Sequence, residues 1–140
     1  MSKVFWDTNL FIYLLEDFDG LSAQVSALRE HMVARHDQLY TSALTLGEVL
    51  VKPLEARDLE LQATYLRLLT EGTVLIPFDR GAAVRYAALR ADRSIRPPDG
   101  MQLACAAQAG IDLFITNDDR LSHKIVPGIQ FLTSLQRAFL

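Results

Sequence analysis

The first hydrophobic feature of the chain is the run Val4-Phe5-Trp6, which stops at Asp7 and is followed by Thr8 and Asn9. An unbroken apolar run this short predicts a buried strand, and the polar residues after it are helix-start signals. Leu10 to Leu15 is apolar all round, which predicts a short helix packed on a sheet. Glu16, Asp17, Asp19 and Gly20 then read as a solvated turn. From Leu21 to about His36, the residues Leu21, Val25, Leu28, Met32 and Val33 recur at helical spacing, with His31 and His36 partly exposed near the end. Gln38 to Ser42 is short, mixed and β-compatible, so it reads as the second strand. The next helix contains Thr45 and Glu48 at the spacing of a capping box, and Pro53 is expected to end or kink it.

The same alternation continues to the end of the chain. Leu59, Leu61, Tyr65, Leu66, Leu68 and Leu69 predict a long helix from about Glu55 to Thr70, closed by Gly72. Thr73 to Phe78 reads as the third strand, with Pro77 near its end. Asp79 is placed to cap a helix over about 80–92, whose small residues Ala83, Val84, Ala87, Ala88 and Ala91 read as its packing face. Pro97-Pro98 stops one element, and Asp99 opens an apolar, alanine-rich helix that Gly110 ends. Ile111 to Thr116 is the fourth strand, followed by Asn117-Asp118-Asp119. A turn at Pro127-Gly128, a short strand at Ile129–Phe131 and a terminal turn through Leu135 and Phe139 complete the pattern. Strands alternating with helices predict an α/β fold with a central parallel β-sheet and helices on both faces. Right-handed crossovers place every strand's carboxyl end on one rim. Neither repeat nor linker interrupts the pattern, so residues 1–140 are expected to form one domain.

Composition narrows the classes of function. Half of the 140 residues are apolar, enough for a real core, and the net charge of −3 argues against binding a polyanion by bulk charge alone. A partner such as RNA would need a local basic patch or bound cations. The single cysteine, Cys105, excludes an internal disulfide framework and reads as a small core residue. No segment has the pattern of a secretion signal or a membrane span, so the expected location is cytoplasmic.

Candidate chemistry lies with four acids. Asp7 and Asp118 follow strands, whereas Glu48 and Asp99 stand at helix starts, so all four are placed to converge on the rim where open α/β sheets bind ligands. Three of them have a structural alternative: Asp7 and Asp99 fit N-cap positions, and Glu48 fits the return arm of a capping box to Thr45. Converging carboxylates repel unless protonated or bridged by a cation, and an all-oxygen set favours Mg²⁺ or Mn²⁺. Such an ion activates water and stabilises charge on a phosphoryl oxygen.

The ordered set Phe5-Trp-Asp7-Thr-Asn9, Ser42-Ala-Leu-Thr-Leu-Gly-Glu48, Pro98-Asp99-Gly-Met-Gln-Leu-Ala104 and Phe114-Ile-Thr-Asn-Asp118 resembles the PIN-domain nucleases over nearly the whole chain. Chain length resembles the compact bacterial branch, the VapC-type toxins of toxin-antitoxin pairs. The resemblance implies a magnesium-dependent endoribonuclease in which Asp7, Glu48, Asp99 and Asp118 form the acidic quartet. Asp7 and Asp99 would then be direct metal ligands, and Asn9 and Thr116 accessory groups that orient a carboxylate or water. It also implies an RNA substrate, an antitoxin partner and a homodimer. Gly100 stands where the family often has alanine, and Asp119 beside Asp118 leaves the fourth ligand open. Arg93, Arg96 and Arg120 are candidates for RNA backbone contacts.

Two other readings use the same residues. A phosphatase with Asp7 as nucleophile would want a second aspartate two residues on, where Asn9 stands. A non-catalytic RNA- or protein-binding module with the same fold would have no need of all four acids.

Overall fold

The computed structural model describes residues 1–16 and 20–138. Asp17 and Asp19 of the expected acidic turn, and Phe139 of the terminal turn, lie outside the described residues. The strands β1 (Lys3–Trp6), β2 (Gln38–Ser42), β3 (Val74–Ile76), β4 (Leu113–Thr116) and β5 (Phe131–Ser134) form one sheet in the order β3-β2-β1-β4-β5. Every pairing is parallel. The connecting helices are α1 (Thr8–Leu15), α2 (Ser22–Arg35), α3 (Ala43–Glu55), α4 (Leu59–Glu71), α5 (Arg80–Leu89), α6 (Pro97–Ala109) and α7 (Asp119–Ser122), and a 3-10 turn at Leu135–Arg137 follows β5. The chain is therefore an α/β protein with a central parallel sheet.

Strand alternation sorts the core into two layers. Val4 and Trp6 of β1 and Ile115 of β4 pack with Leu10, Phe11, Met32, Val49, Tyr65 and Leu69 from α1 to α4. Phe5 and Phe114, on the opposite faces of the same strands, pack with Ala82 of α5, Leu103 to Ala107 of α6 and Leu121 of α7. Because successive strand side chains point to opposite faces, a strand buried on both sides reads as a continuous apolar run. Phe5 and Phe114 are also register partners, and their rings stack at 4.8 Å and 9°. Cys105 lies in this second layer, and burial pushes its thiol up to about 11, as expected of a core residue.

Several boundaries differ from the expectation. Pro53 does not end α3, which runs two residues further, to Glu55, with Pro53 buried inside it. The expected long helix begins later, at Leu59, because Arg57 turns left-handed (φ 54°) and the Asp58 carboxylate caps Leu61 N–H. The third and fourth strands are shorter than their apolar runs, and the last strand is Phe131–Ser134 rather than 129–131. Pro97-Pro98 opens α6 instead of stopping an element. A proline at the first helical position lacks an N–H that would have had no partner anyway.

Helix α5 turns the other way round from expectation. Ala82 is buried and Tyr86 and Leu89 pack beside it, while Ala83, Val84, Ala87, Ala88 and Ala91 face solvent. Tyr86 and Leu89, at i+4 and i+7 from Ala82, remove more area from water than the alanine stripe, and their face wins the core. On the first layer, the Tyr65 hydroxyl of α4 donates to the Glu16 carboxylate just beyond α1, so this acid of the expected turn has a specific partner.

Candidate active site

The strand order reverses direction between β1 and β4: the chain runs outward from β1 to β3, then returns to add β4 and β5 on the other side. The crevice outside the carboxyl ends of β1 and β4 is therefore the topological switch point, where open α/β sheets bind ligands. Asp7 leaves β1 at this point, anchored by its N–H donating to the Ile115 carbonyl at 3.0 Å. Its Oδ1 accepts from the Thr8 N–H at 2.9 Å and its Oδ2 from the Thr116 hydroxyl at 2.8 Å. Burial pushes the Asp7 carboxyl up to about 6 against these two bonds, and the charges of Asp99 and Glu48 push the same way.

Thr116 closes β4 and works in two directions. While its hydroxyl donates to Asp7, its oxygen accepts the Asp118 N–H at 3.0 Å. One buried threonine thus ties the end of β1 to the loop that carries Asp118. Asp118 caps the four-residue helix α7, and Asp119 lies exposed in that helix, its carbonyl accepting from the Ser122 hydroxyl. The Asp118 carboxylate, rather than that of Asp119, meets the other acids through Arg120. Both Asp118 oxygens accept from Arg120, at 3.1 Å from Nε and 2.6 Å from Nη2, and the same Nη2 lies 3.8 Å from Asp99. These bonds hold the Asp118 carboxyl below its ordinary range. Asp99 goes the opposite way: burial and the Asp118 charge raise it, with Arg120 and Arg96 opposing.

Asp99 is not the N-cap of α6. Arg96 holds that position, and Asp99 lies in the first turn after the two prolines. Nor does Glu48 belong to a capping box. Ser42 is the N-cap of α3, which moves Thr45 to the third helical position and Glu48 into the second turn. The Glu48 carboxylate accepts instead from the Thr8 hydroxyl at 2.7 Å, across to the start of α1. Asn9, one residue further, is exposed and lines a cleft of about 490 Å³ with Glu48, Tyr13, Val49, Lys52 and Pro53. All four acids thus lie on one rim, with Arg96 and Arg120 beside them, whereas Arg93 is exposed in the loop before α6.

Beneath the rim lies a polar cluster that sequence reasoning passed over. Gln102 is buried, and its amide donates to Thr8 Oγ1 at 2.9 Å and to Thr45 Oγ1 at 2.7 Å while accepting from the Ser42 hydroxyl. Thr41 lies 2.9 Å from both the Thr45 hydroxyl and the Trp6 carbonyl. The signal available was position: Gln102 is three residues after Asp99, on the same helical face, in a mostly apolar helix.

The four acids offer carboxylate oxygens, and among the described residues the cation drawn between two of them is the Arg120 guanidinium. That donor set fits a hard divalent ion. Among the described residues, no three acidic, histidine or cysteine side chains already converge as a finished cage.

Comparison with known proteins agrees with this geometry. The family model for the PIN domain matches residues 4–125. A chain of VapBC2 from Rickettsia felis, solved bound to a DNA fragment from its promoter, is similar with a TM-score of 0.74 at 16% identity, over 94% of this chain and 97% of that one. A chain of a toxin-antitoxin complex from Klebsiella pneumoniae is similar at 22% identity, TM-score 0.67, over 91% and 95%. VapBC-5 from Mycobacterium tuberculosis, a member of the VapBC family of toxin-antitoxin systems, is similar at 23% identity, TM-score 0.60, over 95% and 99%. No match was found among curated protein sequences. At these identities the structural likeness is one of fold, but the family model spans most of the chain and includes all four acids. The chain belongs to the PIN domain family.

Proposed function

We propose that this chain is a divalent-metal-dependent endoribonuclease that hydrolyses RNA phosphodiester bonds, acting as the toxin of a toxin-antitoxin pair. The observation that carries the reading is Asp7: a partly buried carboxylate at the switch point, raised to about 6 and facing the charges of Asp99 and Glu48. An acid in that position gains from a cation, and Asp7, Asp99 and Asp118, with Glu48 beside them, are the residues that would hold Mg²⁺ or Mn²⁺. When bound, such an ion activates a water and offsets charge on the scissile phosphate.

The chain's own groups prepare this chemistry. Thr116 fixes one Asp7 oxygen and the Thr8 N–H the other, so the carboxylate cannot rotate away from the rim. Thr8 aims Glu48 inward from the facing helix. Arg96 and Arg120 supply positive charge next to the acids, where a phosphodiester would otherwise be repelled, while Arg93 extends the basic surface outward. An accessible, single-stranded or looped RNA suits an open rim better than a regular duplex. Asn9 borders the cleft beside Glu48 and is placed to meet the strand that leaves the rim.

The similarity to chains from VapBC complexes supports an antitoxin partner. Exposed Val51 and Leu54 on α3 and Leu59 and Leu66 on α4 support a face that an antitoxin segment or a second copy covers. We further propose that residues 1–140 act as one nuclease domain in the cytoplasm. Among the described residues, no helix is long and apolar enough to cross a membrane.

The test is cleavage of a mixed RNA pool by antitoxin-free protein with Mg²⁺, with Mn²⁺ and with chelator, beside a folded Asp99→Asn variant. Metal-dependent cleavage that the variant loses supports the reading. Equal inertness of both proteins, with RNA or peptide binding retained, would replace it with the non-catalytic binding module.

A further inference from the structure

We infer that Gln102 is a positioning residue that holds Glu48 through Thr8, setting the spacing of the acidic rim from underneath; the inference rests on the proposed metal-dependent reading of that rim. Three acid-bearing elements meet at this one amide. Gln102 stands one turn after Asp99 on α6, donates to Thr8, the neighbour of Asp7, and donates to Thr45, one turn before Glu48 on α3.

Proton accounting gives the cluster a direction. The Ser42 hydroxyl donates to Gln102 Oε1, which turns the amide so that its N–H₂ faces Thr8 and Thr45. Both amide protons are then used. Thr8 Oγ1 accepts from Gln102, and its single proton points outward, to Glu48 Oε1 at 2.7 Å, which leaves the Thr45 hydroxyl, 3.1 Å away, as the donor of that pair. A carboxylate can only accept, and Thr8 has no other proton to give it. The relay Ser42 to Gln102 to Thr8 to Glu48 therefore runs one way, from the buried interior to an exposed acid.

Burial explains why the cluster holds its geometry. Gln102 is 2% exposed and Thr45 is fully buried, so an amide turned the wrong way would leave polar groups without water to replace lost partners. Groups that orient a ligating side chain are expected to tune metal affinity about tenfold when removed.

The test is Mn²⁺ binding to the full chain without RNA, read from the free-ion electron paramagnetic resonance signal, with cleavage measured in parallel. Gln102→Met keeps the length of the side chain and removes both donors. It is expected to weaken Mn²⁺ binding about tenfold, as Glu48→Gln does, and the double variant to be no weaker than Glu48→Gln alone. Thr8→Val is expected to match Gln102→Met, and Thr8→Ser, which keeps the hydroxyl, to bind as wild type. Unchanged affinity in Gln102→Met, or a loss that adds in full to that of Glu48→Gln, overturns the inference. Should Gln102→Met fail to fold, the Thr8→Val and Thr8→Ser pair, combined with Glu48→Gln, decides by the same additivity. Coupling in Mn²⁺ binding without RNA cleavage leaves the positioning role standing and removes the nuclease; cleavage without coupling does the reverse. Wild type that binds no Mn²⁺ removes both.

Discussion

Arg120 grips both carboxylate oxygens of Asp118 from two residues away. The pair puts a fixed positive charge on the acidic rim, with Asp99 3.8 Å from the same guanidinium. A guanidinium fork matches a carboxylate in plane and direction, so this cation also blocks the oxygens that a metal would use.

Replacing Arg120 by methionine therefore has two expected effects of opposite sign. Mn²⁺ affinity rises roughly threefold, the modest size expected of an exposed ion pair. RNA binding weakens, and its salt dependence becomes shallower by about 0.7 in the logarithmic slope, one phosphate contact fewer on a single strand. Mn²⁺ titration and RNA binding at several salt concentrations check this. A variant whose Mn²⁺ affinity falls would show that Arg120 helps to build the metal site instead of competing with it.

Asp7 makes the metal-free protein pH-sensitive. Its carboxyl rises from 3.8 unfolded to about 6 folded, so the native state binds the proton more tightly. Stability is therefore highest below pH 4 as far as this group is concerned, and is lost as pH rises through 6. The full shift corresponds to about 3 kcal/mol. Asp7→Asn removes that penalty but puts an NH₂ in place of one of the two acceptor oxygens, so that the Thr116 hydroxyl loses its acceptor while the Thr8 N–H keeps one, leaving an expected gain of about 1–2 kcal/mol at pH 8 and none at pH 4. Urea melts in chelator at the two pH values check it. Equal gains at both would mean that charge burial is not the cause. Metal binding should weaken below pH 6 for the same reason, because the proton competes for the carboxylate.

The sheet and the rim were legible in the sequence for one physical reason, the two-sided burial of β1 and β4. Val4-Phe5-Trp6 and Phe114-Ile115 are apolar without alternation, so the residues at their ends, Asp7 and Thr116, stood out as the first polar positions. Helix starts were harder to read. Asp99 and Thr45 carry good capping side chains, yet Arg96 and Ser42 hold the caps of α6 and α3, so a capping residue type in the sequence marks the neighbourhood of a helix start and not its position. The polar cluster around Gln102 was hidden because periodicity detects apolar faces, and a satisfied buried amide leaves no trace in it. Arg120 was visible only as a candidate for RNA backbone contacts, and its bond to Asp118 depends on the tight turn at α7, which spacing alone does not reveal.

Gly128 is a position where a single methyl group is expected to be costly, because close backbone contact and a left-handed conformation coincide there. Its φ is +97°, and a Cβ there would lie 2.9 Å from the Ala107 carbonyl oxygen and 3.0 Å from the Ala107 Cβ. Backbone cannot step aside as a long side chain can, so Gly128→Ala combines left-handed strain with a clash against α6. A loss of about 2–3 kcal/mol is expected, measured as a shift of the urea midpoint with an unchanged slope. A loss below 0.5 kcal/mol would mean that the turn before β5 relaxes without disturbing α6.

Gly100 gives the opposite balance, and it bears on the helix that carries Asp99. A Cβ at Gly100 would meet two ring carbons of Tyr86 at 3.2 Å, and that ring is held edge-on by Phe78 and bonded through its hydroxyl to Arg90. Glycine inside a helix costs about 1 kcal/mol relative to alanine, so Gly100→Ala gains propensity while pressing on the ring. The two terms are similar in size, and the variant is expected within about 0.5 kcal/mol of wild type, since crowding of a few tenths of an ångström is partly relieved by small shifts. In a Tyr86→Leu background the crowding is gone and the same change is expected to stabilise by about 1 kcal/mol. Urea denaturation of the two single variants and the double variant measures the difference as a coupling energy. A coupling near zero would show that Tyr86 does not select the glycine, and that the close approach of α5 to α6 is set elsewhere along their contact.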